Sequence, residues 1–155
     1  MKVVAISDTH NKHNNLKLPE GDILLHAGDF SFTGDTESCS NFGRWFSNLP
    51  YKKKFLVYGN HDILGETNPA YAKHLIALND SVHIFDGSNL NDVYEIDGIR
   101  ICGSPIQPEF NGWAFNRDSE FRKKYWENLP EKIDILLTHC PPLSILDSFP
   151  VRNTL

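Results

Sequence analysis

Side chains able to ligate metal fall at four places where an apolar run gives way abruptly to a polar loop. Val3 to Ile6 leads into Ser7-Asp8-Thr9-His10, and Ile23 to Leu25 into His26-Ala27-Gly28-Asp29. Phe55 to Tyr58 leads into Gly59-Asn60-His61-Asp62, and Ile133 to Leu137 into Thr138-His139-Cys140. Asp8 and His10 flank one residue, so an extended loop lets their side chains converge on one point. Asp29 follows a glycine, which permits a tight backbone path near an ion. Asn60 offers a neutral carbonyl oxygen and His139 an imidazole. Such a mixture of carboxylate, imidazole and amide suits Mn, Fe, Co or Zn better than Ca, which prefers oxygen alone.

A single aspartate bridging two ions would hold them about 3.5–4 Å apart, the spacing of two-metal phosphoester hydrolysis. Asp8, His10, Asp29, Asn60 and His139 are therefore expected to hold two divalent ions, with Mn first and Fe, Zn, Co, Ni or Mg as alternatives. Ions there would polarise phosphoryl oxygens and acidify a water, whose hydroxide attacks phosphorus while an acid protonates the leaving oxygen. His61 is the candidate for that acid or for a transition-state stabiliser. Asp62 is expected to orient the His61 ring by accepting its other N–H. His13, three residues past His10, is a candidate contact to substrate or metal, with a solvated loop histidine as the other reading. His26 is expected to point away from the ions, because strand side chains alternate.

Elements must bring those loops together. Apolar runs without alternation suit strands buried on both faces. Thr36 to Leu49 places Phe42, Trp45, Phe46 and Leu49 on one helical stripe. A second helix over Pro69 to Leu78 has Asn68 as its N-cap, and a third over Asp118 to Leu129 carries Phe121, Tyr125 and Leu129 on one face. Residues 93–96 and 99–102 alternate across Asp97-Gly98, a hairpin signature. The alternation of strand and helix predicts an α/β layered fold with much of its sheet parallel. In such sheets ligands bind beyond the carboxyl ends of the strands. Lys52-Lys53-Lys54 reads as the solvated start of a strand.

The chain has 155 residues, the size of one domain. Its 15 Lys and Arg against 20 Asp and Glu give a net charge of −5, which disfavours long nucleic acid as a partner. Cys39, Cys102 and Cys140 have no CxxC spacing, so a disulfide framework is not expected and a reducing, cytoplasmic setting is the simpler reading. No stretch approaches the ~18 apolar residues of a membrane span.

Together, Ser-Asp-Thr-His at 7–10, Gly-Asp at 28–29, Gly-Asn-His-Asp at 59–62 and Thr-His at 138–139 resemble the ordered motifs of the calcineurin-like metallophosphoesterase superfamily. The segments 21–30, 110–115 and 133–142 look like its metallophosphoesterase-domain-containing branch, which includes phosphodiesterases. The resemblance runs from Met1 to about Asp147 and implies a β-sandwich flanked by helices. It implies Asp8 and His10 on one metal, Asn60 and His139 helping to bind a second, Asp29 bridging, and His61 as the catalytic histidine. Asn60, His13 and Trp113 would face substrate, a small phosphate ester such as a nucleotide or cyclic nucleotide. The Trp113 loop would either stack on a nucleobase or pack beneath a sheet edge.

Two positions depart from the pattern. A further Gly-His-x-His motif is not found before Leu155, so the final strands are expected to be lacking, leaving a sheet edge open to a second copy. Cys140 stands where the superfamily usually has glycine, either as a soft ligand, a redox-sensitive thiol or a small buried hydrophobe. Metal-dependent hydrolysis is thus the leading expectation, with a catalytically degenerate binding module and a nuclease as alternatives.

Overall fold

The computed structural model describes residues 1–145. Its first half is a parallel sheet of β1 (Val3–Ile6), β2 (Ile23–His26), β3 (Lys53–Val57) and β4 (Val82–Phe85), in that spatial order. Three helices lie in the crossovers: α1 (Thr36–Asn48), α2 (Ile63–Thr67) and α3 (Pro69–Ile76). The second half begins with the hairpin of β5 (Tyr94–Ile96) and β6 (Ile99–Ser104), joined through Asp97 and Gly98, both at positive φ. A short parallel pair follows, β7 (Gln107–Pro108) with β8 (Asn116–Arg117), then α4 (Ser119–Trp126). The strand β9 (Ile135–Thr138) pairs parallel to β6 and completes a second sheet, β5-β6-β9.

Strand alternation divides the core in two. Leu24, Leu56 and Ile84 turn to one face of the first sheet, where Phe42 and Phe46 of α1 and Ala72 and Ile76 of α3 cover them. Ile23, Leu25, Phe55, Val57 and Phe85 turn to the other, against Ile101 of β6 and Leu137 of β9. Helices, parallel sheet and mixed sheet thus form three layers. Burying each such Leu, Ile or Phe side chain contributes about 1.5–3 kcal/mol.

Helices α1, α3 and α4 each start on a side-chain cap, of which Asn68 is the one expected. The Asp35 carboxylate accepts from Ser38 N–H at 2.9 Å, Asn68 Oδ1 from Tyr71 N–H at 3.3 Å, and Asp118 Oδ1 from Phe121 N–H at 2.7 Å. Two expectations change. The stripe on α4 is not buried, since Phe121 and Leu129 both remain exposed. Lys54 is not solvated: strand alternation sends it to the helix side, where its Nζ donates to the Leu49 carbonyl at 3.0 Å as α1 ends. A cation there complements the helix dipole, which offsets part of its desolvation. β1 is less covered than a central strand because it lies at the sheet edge, with Val3 and Ala5 exposed. Leu155 and the strands expected to be lacking near it fall outside the described residues. Among the described residues no helix is long and apolar enough to cross a membrane.

Helices α1 and α3 cross at Gly43. A Cβ there would stand 2.1 Å from the Leu75 carbonyl oxygen and 2.8 Å from Ile76 Cα, both backbone atoms that no rotamer change can move. Helix propensity alone favours alanine by about 1 kcal/mol. The clash is expected to win: Gly43→Ala should lower unfolding stability by about 1–3 kcal/mol. Urea denaturation of the two proteins measures this, and a variant as stable as the wild type would refute the close crossing.

Candidate metal centre

Backbone hydrogen bonds carry the pairing of β1 with β2 past the end of the sheet. Asp8 N–H donates to the Gly28 carbonyl at 2.9 Å, His10 N–H to Asp29 at 3.1 Å and Asn11 N–H to Phe30 at 2.8 Å. The loop after β3 closes against the same place. Asp8, His10, Asn11 and Asp29 all adopt positive φ, between 39° and 61°, a region that side-chain-bearing residues seldom occupy. That concentration of strained residues at one spot marks a site whose side-chain directions matter.

Asp8, His10 and Asp29 each bring a ligand atom within 4.8 Å of the others. His139 and Asn60 join them: His139 Nε2 lies 3.6 Å from Asp29 Oδ2 and 3.2 Å from Asn60 Oδ1. His10 Nε2 lies 3.7 Å from the same Asp29 Oδ2, so that oxygen stands between two imidazoles. The protons can be assigned. His10 Nδ1 sits 2.9 Å from the Ser31 carbonyl and His139 Nδ1 2.7 Å from the Ala27 carbonyl. Carbonyls only accept, so Nδ1 carries a proton in both rings and Nε2 is the nitrogen turned to the cluster. Two carboxylates, two imidazoles and an amide oxygen gathered in this way make a donor set that fits a divalent cation.

His61 sits beside this group, its ring edge-on to His10 at 5.1 Å between centroids. Its Nδ1 donates to the Phe32 carbonyl at 2.7 Å, which leaves Nε2 for other work. The expectation that Asp62 orients this ring is therefore corrected. Asp62 points inward, fully buried, and its Oδ2 accepts from Asp29 N–H and Gly59 N–H, both at 2.8 Å. Its Oδ1 accepts from Ser31 N–H at 3.1 Å and Ser31 Oγ at 2.9 Å. Burial pushes the carboxyl up to about 7 against the pull of the Gly59 and Ser31 donors. Asp62 thus spaces the loops after β2 and β3 and does not orient the His61 ring.

His13 is also placed differently. It is 2% exposed, lies in a 3-10 turn and packs against Phe42 and Trp45, so it presents no open edge to a substrate. An apolar environment, rather than a solvated loop, holds its pKa down. Trp113, by contrast, lies over the His61 ring at 4.2 Å, and its loop is tied to the site by Ala114 N–H donating to the Asn60 carbonyl at 3.3 Å. His26 is buried on the helix side of the sheet. Gly28 N–H donates to its Nδ1 at 3.2 Å, so Nε2 carries the proton toward Thr9 Oγ1 at 3.3 Å. Cys140 is half-buried beside His139.

Sequence reasoning passed over Ser31 and Phe32. Ser31 bridges Asp62 and His10, and Phe32 stacks on the His10 ring at 4.9 Å. Neither residue type is unusual in a loop, so no local signal singles them out.

A family model described as calcineurin-like phosphoesterase matches residues 1–154. Metallophosphoesterase domain-containing protein 1 of Homo sapiens is 35% identical across 97% of this chain and 52% of its own length. The protein of the same name from Mus musculus gives the same values. A UPF0046 protein of Caenorhabditis elegans is 35% identical across 96% of this chain and 54% of its own length. The chain spans about half the length of the curated relatives it matches.

Two measurements test the geometry. A Cβ on Gly59 would meet Asp29 Oδ1 at 2.1 Å and Asp29 N at 2.3 Å. Gly59→Ala should therefore weaken Mn²⁺ binding by about 10–100-fold, the effect of disturbing residues that orient ligands. Unchanged affinity by calorimetry would contradict the placement of Asp29. The second concerns His26, whose pKa burial holds at about 3 instead of 6.5. A depressed pKa means that its stabilisation is present above 6.5 and is lost as pH falls toward 3. Asp62, raised from 3.8, slopes the other way, so the difference between proteins is the useful quantity. The stability gap between wild type and His26→Gln should shrink as pH drops through that window. A gap independent of pH would show that His26 is not buried neutral.

Proposed function

The chain belongs to the calcineurin-like phosphoesterase family, and we propose that it hydrolyses a small phosphate ester at the centre formed by Asp8, His10, Asp29, Asn60 and His139. The observation that carries this reading is the convergence of two imidazole Nε2 atoms on one Asp29 oxygen, with Asp8 and Asn60 beside them. Asp8, His10, Asp29, Asn60 and His139 would hold divalent metal between them. Bound there, with Mn²⁺ as our first choice, it would supply charge to neutralise phosphoryl oxygens and acidify a water nucleophile.

The chain's own residues do the remaining work. Asp29 Oδ1 accepts from His61 N–H at 2.9 Å, which locks the His61 backbone to the ligand cluster. The Phe32 carbonyl holds Nδ1–H, so the His61 ring cannot turn and Nε2 faces the reacting atoms. From there it donates a hydrogen bond to a phosphoryl oxygen or passes a proton to the leaving oxygen, a role worth about 10²–10⁴-fold. Asn60 shares its carbonyl oxygen with the centre while its backbone holds the Trp113 loop over the same site. A small ester is the fitting substrate class, because a net charge of −5 offers little to the backbone of a long nucleic acid.

Hydrolysis of bis(p-nitrophenyl) phosphate under Mn²⁺ titration tests the reading. Turnover should rise with metal, fall about 10²–10⁴-fold in His61→Ala, and lose its metal dependence in Asp29→Ala. Metal bound with no turnover above the Asp29→Ala control would refute hydrolysis and favour a binding module on the same fold.

A further inference from the structure

The segment that carries His61 grips the Trp113 loop at two points. Asn60, one residue before His61, accepts Ala114 N–H on its backbone carbonyl at 3.3 Å. Glu66 of α2 takes the next amide along. Its Oε2 accepts from Phe115 N–H at 2.8 Å, and its Oε1 pairs with Arg117 Nη1 at 2.7 Å. Arg117 is itself steadied, because the same Nη1 donates to the Asn116 carbonyl at 2.7 Å and the guanidinium lies over the Phe121 ring.

Phe115 is the residue that needs holding. It is buried, and its φ is 59°. A bulky side chain at positive φ is a costly conformation that persists only where its surroundings leave no alternative. Its ring stacks on Tyr58 at 5.6 Å with 5° between planes, and its carbonyl accepts Gln107 N–H at 3.1 Å. Glu66 holds the remaining polar group, the amide, through a charge-assisted bond. Trp113 stands two residues before this turn, and its ring covers His61 at 4.2 Å. The Phe32 carbonyl decides which nitrogen of His61 faces the centre, while the plane of the ring depends on what rests on its faces.

We propose that Glu66 is a positioning residue for His61. It fixes the turn at Phe115, and through that turn it keeps the Trp113 ring against the imidazole, so that Nε2 holds its aim during hydrolysis. The inference rests on the phosphoester reading, in which His61 serves the reacting atoms. A carboxylate that acts in this way needs the reach of a glutamate and an oxygen for the amide more than it needs its charge.

Two measurements on the full chain test it: diester hydrolysis at saturating Mn²⁺, and the proton NMR signal of the His61 ring with diamagnetic Mg²⁺ in place of Mn²⁺. The second requires no turnover, since the Trp113 ring current displaces protons this close to it. Glu66→Ala should lower kcat about 10–100-fold, with most of the loss in kcat rather than KM. It should also move the His61 signal in the direction that Trp113→Leu moves it. Glu66→Asp keeps the charge but falls one methylene short of Phe115 N–H, so it should behave as alanine does and serves where alanine prevents folding. Glu66→Gln keeps both the reach and the oxygen and should retain most of the activity and the wild-type signal. In a Trp113→Leu background the loss of Glu66 should cost little more, because the two residues act in one line. Glu120→Gln, which breaks the exposed Glu120–Lys124 pair of α4, should change neither reading. An unmoved His61 signal or a wild-type kcat in the alanine and aspartate variants would overturn the inference, as would a full loss repeated without Trp113. A wild type without turnover would remove the proposed activity, and the His61 signal would then decide whether Glu66 positions the ring.

Discussion

Asp62 has no access to solvent, and a carboxylate is tolerable there only because four donors converge on it. Those donors come from the loop after β2 and the loop after β3. One side chain therefore sets the distance between Asp29, which belongs to the first loop, and Asn60 and His61, which belong to the second. Removing it would strand four polar groups in the interior, so the two loops cannot separate cheaply. The positive-φ backbone at Asp29 is held by that anchor directly, and that at Asp8 and His10 is tied to the same loop through the Gly28 and Asp29 carbonyls. Each such residue costs on the order of 1–3 kcal/mol, a strain that persists only where surrounding bonds leave the chain no alternative.

The layers behind the loops supply the rest of the geometry. A parallel sheet delivers the ends of β1, β2 and β3 to one edge, and β9 delivers His139 there from the second sheet. Strand alternation then decides which residues reach the edge and which become core. His26 turns toward α1 and is satisfied by Gly28 and Thr9, whereas Asp29, three residues later and past the strand, swings to the centre. The same alternation buries Lys54 under the end of α1. Hydrophobic layering and ligand placement are thus consequences of one period-two pattern.

Much of this was legible because the signals are local. Apolar runs ending in Asp, His and Asn mark strand ends; Asn68 and Asp118 mark helix starts; Asp97-Gly98 marks a hairpin. What misled were features that depend on distant partners. A carboxylate next to a histidine invites pairing with it, yet burial pulled Asp62 inward, and the partner of His61 is a backbone carbonyl, a group that every residue possesses. His13 reads as a loop residue until α1 packs over it with Phe42 and Trp45. Lys54 was within reach, since alternation from Leu56 and Tyr58 already assigns it to the buried helix face, but a run of three lysines suggests solvent first.

Asn60 points two ways. Its side-chain oxygen meets His139 in the centre, and its backbone oxygen takes the Ala114 N–H of the aromatic loop. A residue clamped at both ends cannot shift at one without disturbing the other. Whatever steadies the loop would then steady the donor set, and an ion held there would stiffen the loop. By thermodynamic reciprocity the two effects would be equal in free energy, making ion affinity and loop order a single property read from opposite sides of one amino acid.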